Sequence, residues 1–483
     1  MKNIGFDKEK YLEIQSKHIL ERISQFENKL YLEFGGKIFA DLHGSRVLPG
    51  FEPDIKINLL QKLKDKTEIV LAINAEDIEL NRIEGDFGLS YSENLTHFIN
   101  KLRTNDLYVS SVVITRFSGQ GAAIKFKSKL EKLGVKVYIH YFIKDYPTNV
   151  NHIMSDEGFG KNDYIETTRQ LVIVAGAGSN SGKMATCMSQ LYHEFKRGVK
   201  AGYAKYEKFP VWNLSINHPI NLAYESATTN INDKNMIDPF HLEAYGEQAV
   251  NYNRDIEAFP ILNSLLKKFW GKSPYNSPTD MGVNMIKECI VNEEVCIEAA
   301  KQEIIRRYFS RVVDEYVYGG YVDEIKSIEF LMNRAGVSPT DRYAVQMART
   351  NAEENGCPAV AITLKNGKTI TGKKSELLSA SSAALLNSLK ELIAVSDDVD
   401  LISGSLITPI QQLNSEYIGI SSNLRINEVL IALATSTTLN PTAQSALKNL
   451  KELKGSEAHS TEILPEGELT TFKKLGINIT HEP

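Results

Sequence analysis

Apolar runs recur along the first 205 residues and alternate with segments in which apolar positions repeat every three or four residues. The apolar runs predict β-strands at residues 67–73, 109–115, 135–142, 171–175 and 199–205. The segments between them predict helices at residues 53–64, 90–105, 121–133 and 182–197. Strands that are apolar on both faces and separated by helices are typical of a buried, mostly parallel sheet, so the sequence predicts an α/β fold.

The amino-terminal segment has a different pattern. Residues 1–30 are charged and amphipathic, which predicts a helix. Residues 30–41 resemble a β-hairpin with Gly35 and Gly36 at its turn.

The pattern changes near residue 236. Residues 241–336 contain few strand-like runs, and residues 293–318 carry a long amphipathic pattern that predicts a helix. After a break at 338–340 the pattern becomes mixed again, with a strand–turn–strand at 358–371. Further helices are predicted at 379–395, 424–435 and 442–453, and the last twenty or so residues look loose. We therefore predict three domains, at residues 1–235, 236–337 and 338–483.

Charge and composition narrow the classes of partner. The formal net charge is −5, the pI is about 6.1, and 42% of the residues are hydrophobic, which suits a globular protein. A mildly acidic chain lacks the broad positive field that draws proteins onto bulk nucleic acid. No apolar run approaches the length of a membrane span, and no amino-terminal leader pattern is visible, so we expect a cytoplasmic protein without membrane contact. The four cysteines form no C-x-x-C pair, and assembly into homo-oligomers is open at this size.

The strongest chemical signal lies between the strand at 171–175 and the helix at 182–197. A strand followed by a glycine-rich loop, a lysine and a helix is the arrangement of a phosphate-binding P-loop. Small residues let backbone N–H groups converge on phosphate oxygens, and the start of the helix adds its positive dipole end. The expected phosphate-binding residues are Ala177, Gly178, Ser179, Asn180, Ser181, Gly182 and Lys183. The expected ligand is ATP, GTP or another phosphorylated small molecule, and the alternative is a tight glycine turn that only closes the strand–helix unit.

One residue departs from the P-loop pattern. A serine or threonine normally follows the lysine, because its hydroxyl binds Mg²⁺. Met184 stands there in this chain, so Mg²⁺ would need other ligands. Asp233 and Asp238 are the candidate metal ligands, and Asp238, His241 and Glu243 are the candidate catalytic residues. The alternative is that this segment is a polar linker.

Four further residues are candidates for substrate binding: His43, Arg46, Lys205 and Arg254. Lys205 ends a strand, where α/β proteins usually bind their ligands. His43 and Arg46 lie in the segment after the first strand-like run, and Arg254 could grip a phosphate or carboxylate with two hydrogen bonds. The alternative for each of them is a purely structural contact, which is the commoner role of a lone histidine in a loop.

Several long strings of the chain resemble a bacterial family described as domain of unknown function 1846. The strings are SGKMATCMSQLYHE, KAGYAKYEKFPVWNL, HPINLAYESAT, NMIDPFHLEAYG, NYNRD and SPYNSPTDMGVNM. The resemblance implies a nucleotide-hydrolase-like α/β part, a helical part and a carboxyl-terminal part whose topology is likened to cytidine deaminases. It implies no reaction, because none is established for the family.

Deaminase chemistry itself is not expected. A zinc deaminase needs an H-x-E and a P-C-x-x-C sequence. His241-Leu242-Glu243 has the first spacing, but the second occurs nowhere in the chain, and Cys357 precedes its proline. The cytidine-deaminase-like topology is therefore expected without the zinc motif.

Three functions remain open from the sequence. The chain could be an ATP- or GTP-dependent ligase or kinase that acts on a small metabolite. It could be a nucleotide-binding regulator without catalysis, which Met184 favours. It could also act on a phosphorylated metabolite without any nucleotide.

Overall fold

The computed structural model describes residues 4–27, 29–36, 38–39, 41–83, 89–178 and 180–483. Its internal contacts separate two compact units, residues 1–300 and residues 301–483. The division falls inside a long helix, Glu293–Tyr318. The three domains predicted from the sequence stay a prediction.

A six-stranded parallel sheet forms the centre of the first unit. Its strands are β1 (Leu30–Phe34), β2 (Thr67–Asn74), β3 (Val109–Phe117), β4 (Lys136–Tyr141), β5 (Leu171–Gly176) and β6 (Gly202–Tyr206). They lie in the order β4-β3-β2-β5-β1-β6, and all neighbours are parallel. All eight residues of β2 are buried, as expected for a strand that is covered by helices on both faces. The predicted α/β fold with a parallel sheet is confirmed.

Helices connect these strands and continue to the end of the unit. They are α1 (Lys8–Ser24), α2 (Leu42–Val47), α3 (Ile55–Lys62), α4 (Ala75–Glu79), α5 (Tyr91–Thr104), α6 (Gly121–Lys132), α7 (Val150–Ile153), α8 (Lys183–Lys196), α9 (Pro219–Ala227), α10 (Pro239–Tyr245), α11 (Asn253–Trp270) and α12 (Glu293–Tyr318). The helix predictions at 53–64, 90–105, 121–133, 182–197 and 293–318 are confirmed to within a few residues at each end.

The predicted hairpin at residues 30–41 is wrong. β1 is a fully buried strand that pairs in parallel with β5 on one side and with β6 on the other. A strand with two neighbours far along the chain has no free edge for a hairpin partner, and the local glycine pair carried no information about these distant partners. Gly35 and Gly36 instead lie directly beyond the carboxyl end of β1.

A two-stranded ribbon lies within the segment that the sequence predicted to be mostly helical. β7 (Asn235–Ile237) and β8 (Val250–Tyr252) pair antiparallel on either side of α10. Each strand has three residues, too few for a periodic apolar signal. The ribbon positions the start of α11, whose first residue follows β8 directly.

The second unit has its own four-stranded mixed sheet, in the order β10-β9-β11-β12. The strands are β9 (Ala359–Thr363), β10 (Thr369–Lys373), β11 (Glu457–Ser460) and β12 (Asn478–His481). The helices are α13 (Val322–Ala335), α14 (Tyr343–Asn355), α15 (Ala380–Leu392), α16 (Gly404–Gln412), α17 (Ile426–Ser436), α18 (Pro441–Lys448) and α19 (Glu466–Leu475). The likeness to a cytidine-deaminase topology stays a prediction.

Two local predictions in this unit have clear outcomes. The β9–β10 hairpin is confirmed, and Gly367 in its turn has a φ of 87°, a conformation that glycine adopts without strain. The prediction of loose final residues is wrong. Residues 466–475 form α19 and residues 478–481 form β12, which pairs with β11. The proline and glycine residues near the end predicted a loop. They gave no sign that residues 478–481 pair with β11, which lies about twenty residues earlier in the chain.

Candidate functional site

The glycine-rich segment lies at the carboxyl edge of the parallel sheet. It follows β5, whose neighbour on one side is β2. After β2 the chain continues to β3, away from β5, whereas after β5 it continues to β6, away from β2. Two adjacent strands whose connections leave in opposite directions form a crevice beyond their carboxyl ends, and α/β proteins bind ligands in such crevices.

Close contacts shape this segment. Gly182 has a φ of 86°, and a Cβ built on it would lie 2.8 Å from the hydroxyl oxygen of Thr115 on β3. A Cβ on Gly178 would lie 2.7 Å from the ring of Tyr91. The backbone at Gly182 therefore requires glycine, whereas a side chain at position 178 would have to displace the ring of Tyr91. Ser179, one of the predicted phosphate-binding residues, lies outside the described residues.

The last residue before Gly182 has a buried hydroxyl group. Ser181 is 2% exposed, and within the described part of the chain its Oγ meets no hydrogen-bond partner. Its backbone carbonyl is held, because it accepts a hydrogen bond of 2.8 Å from Thr115 Oγ1. A buried hydroxyl without a partner costs free energy, so it indicates a position where a ligand could supply the partner.

Helix α8 begins beside this hydroxyl. Its first backbone hydrogen bond runs from Thr186 N to Gly182 O at 2.9 Å. The amide groups of residues 183–185 precede that bond, so no carbonyl of the helix accepts from them. Open amides together with the positive end of the helix dipole favour an anion at this place.

Side chains at the start of α8 decide what else could bind there. Lys183 is the first helical residue and is half-buried. Met184 follows it and offers no hydroxyl for Mg²⁺. Thr186 is fully buried, and its Oγ1 donates to Gly182 O at 2.9 Å, so this hydroxyl supports the loop. Asn180 is exposed and has a φ of 58°, and Ala177 donates its N–H to Ala72 O on β2 at 3.0 Å.

The three predicted catalytic residues lie on or beside α10, and their side chains have different environments. Asp238 is fully buried and caps the helix, because Oδ1 accepts from the amides of Phe240 and His241 at 3.0 and 3.1 Å. Its Oδ2 accepts from Thr279 Oγ1 at 2.6 Å. The contacts of Asp238 are therefore those of a structural helix cap.

His241 and Glu243 point to different surroundings. His241 is buried, and its Nδ1 lies 3.1 Å from Ser277 Oγ and 3.6 Å from Asp280 Oδ1. Glu243 is exposed. The described residues contain no group of three histidine, cysteine, aspartate or glutamate side chains arranged to hold a metal ion.

Asp233 and Arg254 pair with each other. Arg254 Nε lies 2.5 Å from Asp233 Oδ1, and a second nitrogen donates to Oδ2 at 2.6 Å. Burial raises the pKa of Asp233, and the charge of Arg254 opposes that shift. The structure thus joins a predicted metal ligand to a predicted substrate-binding residue in one two-pronged ion pair.

Lys205, at the end of β6, is the centre of a buried group of charges. Its ammonium donates to both carboxylate oxygens of Asp255 at 2.6 Å and to the hydroxyl of Tyr252, and it lies 3.2 Å from Glu207 Oε1. Burial disfavours the ammonium, but the charges of Asp255 and Glu207 outweigh it and raise the pKa of Lys205. We call Lys205, Glu207 and Asp255 the Lys205 cluster.

A second buried group lies near the carboxyl end of β1. Asp41 accepts a hydrogen bond from Lys208, and its Oδ2 lies 3.6 Å from Lys56 Nζ. Lys56 also donates to Gly35 O at 2.7 Å. Burial is the main reason that the pKa of Lys56 falls, to about 7, and the neighbouring ammonium of Lys208 adds to the effect.

His43 and Arg46 lie on α2, directly after Asp41. The ring of His43 packs edge-on against Phe209, with ring centres 5.3 Å apart, and Arg46 is half-buried. This contact places His43 beside Phe209, and Lys208 is the residue directly before Phe209 in the chain.

Sequence reasoning included Lys205 but did not select Glu207, Asp255, Lys56 or Lys208. The available signal was that Glu207 and Lys208 follow a predicted strand directly, at the edge where ligands bind. Lys56 and Asp255 carry no such signal, because each lies inside a helix or at its start, far along the chain from the strand end it contacts.

These features define a class: a two-unit α/β protein whose parallel sheet carries a glycine loop and buried charges at its carboxyl edge. Two family models match the chain, "Domain of unknown function DUF1846, N-terminal" over residues 4–336 and "Domain of unknown function DUF1846, C-terminal" over residues 340–483. The chain therefore belongs to the DUF1846 family, as its sequence strings suggested.

Curated relatives agree with this assignment. UPF0371 proteins of Streptococcus pyogenes serotype M5 (strain Manfredo) and serotype M18 (strain MGAS8232) are each 54% identical over 485 residues, which cover 100% of this chain and 98% of theirs. A UPF0371 protein of Streptococcus pneumoniae (strain JJA) is 53% identical over the same length and coverage. Among the described helices, none has both the length and the apolar character that crossing a membrane requires.

Proposed function

We propose that the first unit binds a phosphorylated small molecule at the glycine loop after β5, with ATP or GTP as the first candidates. The observation that carries the proposal is the buried Ser181 hydroxyl, which has no partner among the described residues and lies beside the open amides of α8. Both kinds of group can donate a hydrogen bond, and the charged oxygens of a phosphate are strong acceptors. A phosphate would therefore supply the missing partners.

The surroundings support the same ligand. The loop lies at the crevice between β2 and β5, which is the usual ligand position of an open α/β sheet. Lys183 begins α8 and would add a positive charge to the outer phosphates. Gly182 has a positive φ and lies against Thr115, and Gly178 lies against the ring of Tyr91, so the tight course of the loop depends on small residues.

A catalytic version of this proposal is a nucleotide-dependent ligase or kinase of a small metabolite. Met184 favours a second version, in which the nucleotide binds without a protein-held Mg²⁺ and the protein acts as a regulator. In the catalytic version Mg²⁺ would enter together with the nucleotide, because Asp238 already holds its helix cap and Asp233 holds Arg254. A phosphorylated metabolite in place of a nucleotide would use the same loop.

The test is calorimetric titration with ATP, GTP, pyrophosphate and inorganic phosphate, each with and without Mg²⁺. Three variants complete it: Ser181→Ala, Lys183→Ala and, as a matched control, Lys196→Ala. Lys196 is the last residue of the same helix, so its removal changes the net charge equally but at the opposite helix end.

We expect Lys183→Ala to weaken binding roughly ten- to a hundredfold, since a charge-assisted hydrogen bond contributes about 1.5–3 kcal/mol. Ser181→Ala should weaken binding about three- to tenfold and should not lower the unfolding midpoint of the ligand-free protein, because the buried hydroxyl has no partner among the described residues to lose. Lys196→Ala should bind as the unaltered protein does. Equal binding by all four proteins would make the loop a plain structural turn.

The ligand preference distinguishes the ligase or kinase, the nucleotide-binding regulator and the site that recognises a phosphate alone. Tight binding of nucleotide only with Mg²⁺ supports the ligase or kinase, and equal binding without Mg²⁺ supports the regulator. Pyrophosphate or phosphate that binds as well as the nucleotide indicates a site that recognises the phosphate alone.

A further inference from the structure

Two carboxylates share one ammonium group at the end of β6. Asp255 accepts from Lys205 Nζ with both oxygens at 2.6 Å, whereas Glu207 Oε1 lies 3.2 Å from the same nitrogen. One positive charge cannot neutralise two adjacent buried carboxylates, so the more weakly held one favours its protonated form. The distances identify that group as Glu207.

Two other buried carboxylates near the sheet edge contact different cations. Asp41 contacts Lys208 and Lys56, and Asp233 contacts Arg254. A third, Glu33 on β1, accepts a hydrogen bond of 2.7 Å from the Tyr203 hydroxyl and adds to the negative charge around Lys205 and Glu207.

Glu207 is also the member of this cluster that solvent reaches most easily. Its side chain is 24% exposed, compared with 11% for Lys205 and 12% for Asp255. It lies over the backbone beyond β1, where a Cβ on Gly35 would come within 2.6 Å of Glu207 Cγ. Glycine at position 35 thus leaves room for this carboxyl group at the carboxyl edge of the sheet.

We infer that Glu207 is an acid–base residue, which exchanges a proton with a hydroxyl or amine group of a small molecule bound at the carboxyl edge beside Gly35. In its charged form, Glu207 would take the proton as the O–H or N–H bond of the molecule breaks and a new O–H bond forms on the carboxylate. The proton then leaves to solvent through the exposed side of the group. Lys205, held by Asp255, positions Glu207 for this exchange.

The inference deepens the proposed function and rests on it for the second ligand. β1 lies between β5 and β6, so the end of β6, which Glu207 follows, is two strand spacings, about 10 Å, from the end of β5, which the glycine loop follows. That separation leaves space for a nucleotide phosphate at the loop and an acceptor molecule beside Glu207. The acceptor is thus expected to be a small molecule that becomes a nucleophile when it loses a proton.

The titration of Glu207 supports the geometry. Burial raises the pKa of Glu207 to about 7, and the Asp255 carboxylate adds to this shift while the Lys205 ammonium opposes it. The titratable and charged groups that face Glu207 are Glu33, Lys56, Lys205, Tyr224, Tyr252 and Asp255. A pKa near neutral pH suits a group that must both accept and release a proton.

The experiment is done on the ligand-free full chain, so that it does not depend on nucleotide binding. Carbodiimide with an added amine labels protonated, accessible carboxyl groups, and mass spectrometry of peptides locates the label. The proteins are the unaltered chain, Glu207→Gln, Asp255→Asn and a control, Glu243→Gln, which changes an exposed glutamate on α10. Infrared difference spectra between pH 4 and 9 follow the protonated carboxyl band of the same proteins.

We expect label at residue 207 at pH 7, with a midpoint near 7 for both the label and the infrared band. The component of the band with a midpoint near 7 should vanish in Glu207→Gln and persist in Glu243→Gln. Asp255→Asn removes the competing carboxylate, so the midpoint should fall by one unit or more towards the ordinary value for glutamate, about 4.3.

Two results would overturn the inference. One is a Glu207 midpoint near the ordinary glutamate value, and the other is absence of label at residue 207 when it is protonated, which would show that no outside molecule reaches it. A failure of nucleotides to bind in the calorimetric titration would refute the proposed function and leave this titration unaffected. The two failures are therefore distinguishable.

Discussion

Each unit contains a buried cluster of charged residues, and the pKa of the glutamate in one cluster is shifted in the opposite direction to that in the other. In the first unit the Lys205 cluster lies at and beyond the carboxyl ends of parallel strands, and its carboxyl group Glu207 has a pKa of about 7. In the second unit Arg342, His459 and Glu482 lie against the strands β11 and β12 themselves. There, burial would raise the pKa of Glu482, but hydrogen bonds from Arg349 and His459 outweigh it and lower the pKa to about 2.

The second cluster has the contacts of a structural support. Arg342 is 1% exposed, and it donates to Ala458 O at 3.1 Å, to Asn478 O at 2.5 Å and to Thr480 Oγ1 at 3.1 Å. It joins β11 and β12 through their own backbone carbonyls. A cation that satisfies strand carbonyls in this way contributes to stability, and the remaining nitrogen of Arg342 lies 2.5 Å from Glu457 Oε2.

The comparison teaches that the number of neighbouring cations decides what a buried carboxyl group can do. Glu482 follows β12 directly, as Glu207 follows β6, but the side chains of Arg349 and His459 both hold its carboxylate. Glu207 shares the ammonium of Lys205 with Asp255, which leaves an imbalance of charge. Three predictions test this contrast.

The largest effect is expected from Arg342→Ala. Removing the arginine takes one donor each from the carbonyls of Ala458 and Asn478, although Thr480 Oγ1 still donates to Ala458 O, and it removes the ion-pair partner of Glu457. We expect the free energy of unfolding to fall by about 3–5 kcal/mol, measured by urea unfolding of the full chain. Arg349→Ala is the matched control, because Arg349 is 39% exposed and should cost roughly 1 kcal/mol. Equal losses for the two variants would show that Arg342 is not the support of this sheet.

An intermediate effect is expected from Glu482→Gln, and it should depend on pH. The folded protein holds the pKa of Glu482 at about 2, below the ordinary value, so its carboxylate stabilises the fold above about pH 4. We expect the variant to lose roughly 2 kcal/mol at pH 7 and progressively less as the pH falls from about 4 to 2. Unfolding curves at pH 7, 4 and 3 measure this. A loss that is constant with pH would mean that the ionised state of Glu482 contributes nothing.

The smallest effect is expected from Glu207→Gln, with the opposite sign. The folded protein raises the pKa of Glu207 to about 7, so ionisation destabilises the fold as the pH rises from about 4 to 7. Relative to the unaltered chain, the variant should become more stable by roughly 1–2 kcal/mol between pH 4 and pH 8, less than full linkage because the side chain is partly exposed. Unfolding curves at the two pH values measure the difference. If the two proteins differ equally at both, Glu207 does not titrate between them.

Much of the first sheet could be predicted from the sequence, because its strands are apolar on both faces. The segment LVIVA at 171–175 predicts a buried strand wherever it lies, and the glycines after it predict a tight loop before a helix. The hairpin prediction at 30–41 failed because the segment LYLEF at 30–34 predicts a strand but does not indicate which strands pair with it. Those partners are β5 and β6.

Part of the candidate site could likewise be predicted from the sequence, and part of it could not. The glycine loop could be found because its residues are consecutive. The Lys205 cluster could not be found in full, because Asp255 comes from a helix that begins about fifty residues after Lys205. Asp238 and His241 were predicted from the sequence to be catalytic residues. In the structure, Asp238 makes the hydrogen bonds of a helix cap.

The sequence by itself determined the buried strands, the glycine loop, the helix that follows it and the family. Each of these features depends on local periodicity or on consecutive residues, and both can be recognised in the sequence without knowledge of the tertiary structure. Only the tertiary structure decided the strand order, the place of β1 between β5 and β6, and the sharing of Lys205 by Asp255 and Glu207. The physical reason is that the protonation of a carboxyl group depends on burial and on charges within a few ångströms, and residues from distant parts of the chain supply both.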